Sequence, residues 1–373
     1  MNLRIPGPIP VPEEILETMA RPMINHRGPQ FKEMLFRVTD RLKQVFKTSG
    51  DVFILTSSGT GAMEAAIVNT LSPGDRVLCA SMGNFGDRFG EIAGRFGADV
   101  RMLSFDPGTA VDAGRIRSAL EGDPDVSAVL VTHNETSTGV VNDLEAIAGV
   151  VKGEFGKLLL VDGISSVCSL PLRTDEWGCD VVATASQKGW MLPPGLAFLS
   201  FSEAAWEAHA KATMPRYYFD VEQYRHYFEL GQPPYTPALS LIFALDAALE
   251  SIIAEGVDAL LERHTSIAQM TRDGIKALGL SLFPDESVAS DTVTAVAVPE
   301  GVDADRLLAI VREDHGVVLA TGQGAQKSKL FRIGHMGRVA PEEIQDVLDA
   351  LAAALPRAGF SPPNAPGDVA PAC

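Results

Sequence analysis

A lysine stands where a buried apolar run ends. The run Val181-Val182-Ala183-Thr184 leads into Ala185-Ser186-Gln187-Lys188-Gly189-Trp190, with Pro193-Pro194-Gly195 close behind. Lysine is rarely buried without a partner. Withdrawal of water lowers its pKa and makes the amine a nucleophile able to form a Schiff base. Taken alone, Lys188 also fits a surface loop. A carboxylate occupies a matching position: Asp162 closes Leu158-Leu159-Leu160-Val161 and precedes Gly163-Ile164-Ser165-Ser166. At the carboxyl end of a parallel strand it would face the crevice where α/β sheets bind ligands. Taken alone, it also fits a helix N-cap. The third feature is Thr56-Ser57-Ser58-Gly59-Thr60-Gly61, between an apolar run and a helical one. Free N–H groups beside small hydroxyl residues suit an anion. Neither the third glycine of a dinucleotide loop nor the lysine of a P-loop is present, so a single phosphate fits better. A plain capped turn is the simpler alternative.

These features need a scaffold. Short apolar runs at Val52–Leu55, Arg76–Ala80, Val129–Thr132, Leu158–Val161, Val181–Thr184 and Leu196–Ser200 alternate with helical stretches. Such alternation predicts an α/β fold on a buried, mainly parallel sheet, its last pair close enough to run antiparallel. Helices are expected from about Glu13, over Gln30–Lys47, Ala62–Leu71, Arg88–Phe96, Ser240–Glu255, Val257–Leu278 and Glu342–Leu355. Strands are expected over Thr292–Val298, Gly316–Ala320 and Leu330–Gly334. The organisation read from this is an amino-terminal arm (1–20), a large domain (21–255), a smaller carboxyl-terminal α/β domain (256–356) and a disordered tail (357–373). The arm, Ile5-Pro6-Gly7-Pro8-Ile9-Pro10-Val11-Pro12, is too proline-rich for a helix or central strand.

Composition narrows the partners. The chain has 373 residues, 46% of them apolar and 21% charged, with a formal net charge of −17. So acidic a surface repels nucleic-acid backbones and anionic lipid, while a small anion can still be held by local cations. The four cysteines, Cys79, Cys168, Cys179 and Cys373, form no Cys-x-x-Cys pair, so no metal site is expected. The amino terminus does not read as a signal peptide, and no apolar run reaches bilayer length. A cytoplasmic protein is the natural expectation.

Phosphate turn, His133 loop, Asp162 and Lys188 follow one another, each at a strand end. In this order the sequence resembles the class V aminotransferases, fold type I enzymes of the alanine/serine–glyoxylate aminotransferase kind. The resemblance covers about residues 3 to 350. It rests on Pro6-Gly7-Pro8, Ser58-Gly59-Thr60-Gly61-Ala62-Met63-Glu64-Ala65-Ala66, His133-Asn134-Glu135-Thr136-Ser137-Thr138-Gly139, Val161-Asp162, Ser186-Gln187-Lys188 and Arg332-Ile333-Gly334. It implies a large domain on a mainly parallel seven-stranded sheet, a smaller carboxyl-terminal domain and bound pyridoxal 5′-phosphate. Lys188 would form the internal aldimine. Asp162 would face the pyridine nitrogen, whose protonation makes the ring an electron sink. Ser58, Gly59, Thr60 and Gln187 would hold the phosphate, Thr136 would lie near the phenolic oxygen, and Phe85 would stack on the ring where the family often has tryptophan. Tyr235 and Thr236 would reach the phosphate of a neighbouring subunit, implying a homodimer with shared sites. Arg332 would clamp the substrate carboxylate, with Gly7 against the substrate. His26 and Arg27 match a phosphoserine aminotransferase pair that receives a substrate phosphate from across the dimer, and would bind a distal anion or hold the arm. His335 could join that site.

The activity implied is transfer of an amino group from alanine, serine or aspartate to a 2-oxo acid such as glyoxylate or pyruvate. Alternatives are a lyase of cysteine desulfurase or kynureninase type, a phosphoserine-type aminotransferase, an idle partner subunit of the same fold, and a nucleotide-binding protein. A desulfurase needs a mobile cysteine, for which Cys373 is the one loop candidate.

Overall fold

The computed structural model describes residues 1–360. Seven strands build the main sheet in the order Asp51–Ser57, Gly195–Phe201, Val181–Ala185, Leu158–Asp162, Ala128–Thr132, Arg76–Ser81, Asp99–Ser104. Six point the same way; Gly195–Phe201 alone runs antiparallel to both of its neighbours. The central strands are Val/Leu/Ala runs buried on both faces, as a sheet covered by helices on either side requires. Register aligns the carboxyl ends: Thr132 pairs with Asp162, and Asp162 with Ala183. The chemistry-bearing residues that follow these strands therefore emerge at one edge of the sheet.

The helix Pro29–Phe46 begins with proline in its first turn, where the missing N–H costs nothing, and ends at Lys47 in the left-handed conformation. Its face of Phe31, Met34, Leu35, Val38, Leu42, Val45 and Phe46 is buried at helical spacing with Leu239–Glu255 in one core layer. The helix Gly59–Thr70 covers the other face with Met63 and Ile67, joined by Phe89 of the helix Asn84–Arg95. A separate cluster containing Phe331, Ile333, Ile344 and Leu351 supports the antiparallel sheet Val293–Ala297, Leu330–Gly334, Ala320–Thr321. Among the described residues no helix is long and apolar enough to cross a membrane.

Three differences from the sequence-based expectation have physical reasons. The strand Asp99–Ser104 and the helix Ala113–Glu121 carry no strong apolar signature, because the strand is a largely exposed edge. The strand expected over 316–320 is split. Val317–Val318 pairs with Asn2–Leu3, while Ala320–Thr321 pairs with Leu330–Gly334, so the backbone serves two partners. Arg357, assigned by sequence to a disordered tail, lies in the turn Pro356–Ala358 and pairs with Asp314 at 2.5 Å. The remainder of that tail, 361–373, lies outside the described residues, as does Cys373.

Trp190, two residues past Lys188, fixes the turn to the core. It is fully buried, packs on Phe46 and Phe198 at 5.8 and 4.9 Å between ring centroids, and donates from Nε1 to Thr184 Oγ1 at 3.2 Å. Trp190→Ala is expected to cost about 3–5 kcal/mol of stability through the cavity it leaves. Urea unfolding followed by far-UV circular dichroism measures this, and a loss under about 1 kcal/mol would contradict the anchoring role.

Candidate active site

The turn after Val181–Ala185 is held from several sides. Ser186 Oγ donates to Pro193 O at 2.7 Å and accepts from Leu196 N at 3.1 Å. Gly189 fits because a Cβ there would meet Ser169 Oγ at 2.2 Å and Cys168 O at 2.9 Å. Lys188 is thereby aimed at the amino-terminal arm. Its Nζ donates to Pro6 O at 2.5 Å, and a Cβ on Gly7 would sit 2.7 Å from Nζ. Gly7 also has φ +138°, a conformation L side chains rarely adopt. The lysine keeps some solvent contact, but its amine lies deep. Burial, then the Arg332 charge, push its pKa down to about 8, with Asp162 opposing.

Asp162 is buried, and its Oδ1 accepts from Ile164 N at 2.9 Å. Burial and the charge of Glu135 push this carboxyl up to about 7, against the Ile164 N–H, Lys188 and Arg88. It makes no ion pair among the described residues. A buried carboxylate without a cation is costly, so this one suits a ligand carrying a protonated nitrogen. His133, next in register to Asp162, is buried edge-on to Trp177 at 6.4 Å. Desolvation holds its pKa down to about 4, so the imidazole is neutral.

The turn at Ser58 opens the 12-residue helix Gly59–Thr70. Ser58 is extended and makes no capping bond through its side chain, so the first N–H groups of the helix and the exposed hydroxyls of Ser58 and Thr60 are available to an anion. Gly59 packs against Ile164; a Cβ would come within 2.5 Å of Ile164 Cδ1. Gln187 Oε1 is buried without a donor. Phe85, half-buried, starts the helix Asn84–Arg95 with the Arg88 guanidinium 5.0 Å over its ring.

Arg332 is buried on Leu330–Gly334. Its guanidinium donates to neutral carbonyls: Thr136 O at 3.0 Å and Thr321 O at 3.0 and 2.8 Å. Burial pushes its pKa down to about 10, with Glu135 opposing, so it stays charged. The carbonyls orient the fork and leave its charge unneutralised.

Other sequence candidates are placed elsewhere. Arg27 is exposed, donates to Gln232 Oε1 at 3.0 Å and lies 5.7 Å from the Tyr227 ring. Neither it nor half-buried His26 bonds to Lys188, Asp162 or Arg332 within the chain. Tyr235 donates to Tyr217 O at 3.0 Å and stacks on Tyr218, whereas Thr236 is exposed. His335 is buried and bonded to Thr294 Oγ1 at 2.9 Å.

The model of the class V aminotransferases matches residues 13–345. The chain belongs to this family. It is a pyridoxal-phosphate-dependent transaminase. A protein of a Synechococcus species named soluble hydrogenase, small subunit, is 43% identical over 96% of this chain and 94% of its own length. The L-aspartate–glyoxylate aminotransferase of Paracoccus denitrificans is 42% identical over 89% of this chain and 85% of its own. The crystal structure of alanine–glyoxylate aminotransferase from a Nostoc species superposes with a TM-score of 0.91 at 31% identity, covering 95% of each chain.

The residues fit the cofactor of such a transaminase on three grounds. An uncommitted helix start suits the phosphate, Asp162 suits a protonated ring nitrogen, and Lys188 suits an aldehyde. Sequence reasoning missed two contributors. The Pro6 carbonyl carries no side-chain signal at all. Glu135 was visible only as a charged residue inside an otherwise small, polar turn; in the structure it is fully buried and accepts from Phe85 N, Gly86 N and Ser137.

In the cofactor-free transaminase, a lowered lysine pKa means that the reactive neutral amine appears as pH rises through about 8. The rate of pyridoxal phosphate uptake, followed by absorbance, is expected to climb through that range. A climb confined to the ordinary lysine region near 10.5 would contradict the desolvation of Lys188.

Proposed function

We propose that this transaminase takes its amino group from a small amino acid (alanine, serine or aspartate), delivers it to a 2-oxo acid such as glyoxylate or pyruvate, and uses Lys188 as cofactor anchor and proton carrier. The observation that carries this reading is the pairing of a water-deprived Lys188 amine with Arg332, a charged fork whose bonds go to carbonyls alone. The named substrates of the Paracoccus and Nostoc proteins support the choice of acceptor and donor.

When bound, the cofactor supplies a carbonyl for the amino group and a protonated ring that takes up electrons. Arg332 binds the α-carboxylate of either substrate and so sets which face of Cα meets Lys188. The Lys188 amine, neutral near pH 8, takes a proton at Nζ and returns it, a general-base role typically contributing about 10²–10⁴-fold. Asp162 retains its charge opposite the ring nitrogen and keeps that nitrogen protonated. Ser58, Gly59, Thr60 and Gln187 would hold the phosphate, Thr136 would lie by the phenolic oxygen, and Phe85 would close one face of the ring. Gly7 leaves room for the substrate where a Cβ would collide with Lys188.

The working unit is a homodimer. Tyr217 is 79% exposed and Tyr218 38%, beside Tyr235, forming an aromatic surface suited to burial against a second copy. Tyr235 and Thr236 would serve the neighbouring phosphate; of the two, Thr236 has the uncommitted hydroxyl. His26 and Arg27 would reach the neighbouring site as well, as receivers of a distal carboxylate. A cytoplasmic location suits the three free buried thiols.

Those three thiols offer no desulfurase nucleophile among the described residues. Burial raises the pKa of each, to about 12 for Cys79 and Cys179, which removes the thiolate a sulfur-accepting nucleophile needs. Among the described residues they also join no group of metal-ligating side chains.

Steady-state assay of alanine, serine and aspartate against glyoxylate tests the reading, with at least one donor giving glycine. Arg332→Ala is expected to lose about 2–5 kcal/mol of kcat/KM by removing a buried charge partner. Lys188→Ala is expected to abolish turnover. Turnover of Lys188→Ala at the wild-type rate, or an unchanged kcat/KM for Arg332→Ala, would refute it.

A further inference from the structure

The helix Asn84–Arg95 has an N-cap with no side chain, Gly83, and yet its first three N–H groups are all satisfied. Asn84 N donates to Ser137 Oγ at 3.2 Å, and Phe85 N and Gly86 N donate to Glu135 Oε2 at 3.0 and 3.1 Å. The cap comes from a turn 50 residues away in sequence. That turn is closed by the bonds Thr138 N to Glu135 O at 3.2 Å and Gly139 N to Glu135 O at 2.9 Å. Glu135 Oε1 takes the Ser137 N–H at 3.1 Å and the Ser137 hydroxyl at 2.5 Å. Four donors and no acceptor face this carboxylate: burial pushes its pKa above the ordinary carboxylate range, and the bonds from Ser137, Gly86 N and Phe85 N oppose that rise by favouring the ionised form. Gly83 is what lets it approach, because a Cβ there would lie 2.7 Å from Glu135 Cδ and 2.6 Å from Ser137 Oγ.

We propose that Glu135 is a positioning residue that joins two walls of the active site, fixing Phe85 through the helix start and Arg332 through the Thr136 carbonyl. The inference rests on the roles given above to Phe85 and Arg332. Thr136 follows Glu135 directly, and its carbonyl accepts from Arg332 Nη1 at 3.0 Å. Glu135 makes no ion pair with Arg332. Its four donors hold it aside, so its charge steadies the guanidinium without occupying the fork that the substrate carboxylate needs. A glutamine cannot replace it. Whichever way its amide turns, an NH₂ group opposes either the Phe85 and Gly86 N–H pair or the Ser137 N–H.

The test is Glu135→Gln in the holoenzyme, read by the visible circular dichroism of the bound cofactor and by kinetics with the best donor. Expected are a changed visible band, a raised amino-acid KM and a kcat/KM lowered about tenfold or more. The loss for Glu135→Gln combined with Phe85→Ala should fall short of the product of the two single losses, as expected for groups acting together. A wild-type band with kcat/KM within about twofold of wild type, or fully multiplicative losses, overturns the proposal. Should Glu135→Gln fail to fold, Ser137→Ala decides. It removes one of the four donors, and an altered band with about threefold lower kcat/KM supports the proposal, while an unchanged enzyme overturns it. If instead the wild-type holoenzyme shows no spectral response to any amino acid, the underlying transaminase site assignment fails, and not this inference alone.

Discussion

The constraint on which the structure turns is the removal of water from one amine. Lys188 would hold its proton firmly in solvent. At the end of Val181–Ala185 it meets the Pro6 carbonyl and lies within reach of one positive and one negative charge. Burial and Arg332 press the proton off; Asp162 holds it on. The balance brings the amine's pKa down to about 8, so a share of it is neutral at ordinary pH and can act both as nucleophile and as base. The same desolvation strains Asp162 in the opposite direction, toward protonation. A cationic ring nitrogen would relieve that strain, which is why Asp162 and Lys188 are proposed as two ends of one binding site.

Keeping water out takes segments from across the chain. The arm enters as Asn2–Leu3 beside Val317–Val318, and Gly334 N donates to Arg4 O at 2.7 Å, just past Arg332. Five residues later, Ile9 N donates to Gln187 O at 3.2 Å, beside Lys188. The stretch between them, Ile5–Pro8, thus spans from the strand of Arg332 to the turn of Lys188. A proline-rich segment suits this task because its backbone is stiff without needing a ladder of its own. The formal charge of −17 has little bearing here, since the cleft is governed by Arg332, Asp162, Glu135 and Lys188 at short range.

Much of this was legible in the sequence, for a physical reason. Lys188, Asp162 and the Ser58 turn each follow an uninterrupted apolar run, and a buried parallel strand leaves that mark whatever surrounds it. The edge strand Asp99–Ser104 leaves none, because it is mostly exposed. Division of the 317–321 segment between two sheets was equally invisible, since it depends on where the arm returns. Backbone groups such as the Pro6 and Thr136 carbonyls write nothing into side-chain chemistry. Glu135 is an intermediate case: a charge in a buried turn signals an obligation, but its creditors, Phe85 N and Gly86 N, become known only when the turn meets the helix. His26 and Arg27 were conspicuous as a pair, yet one chain alone engages Arg27 with Gln232 and Tyr227.

The most direct measurement is chemical. Borohydride reduction of the holoenzyme, followed by proteolysis and mass spectrometry, locates the residue to which the vitamin B6 group is attached. A pyridoxyl adduct at Lys188 and at no other lysine is the predicted result. An adduct elsewhere, or none on an enzyme that turns over, would contradict the account.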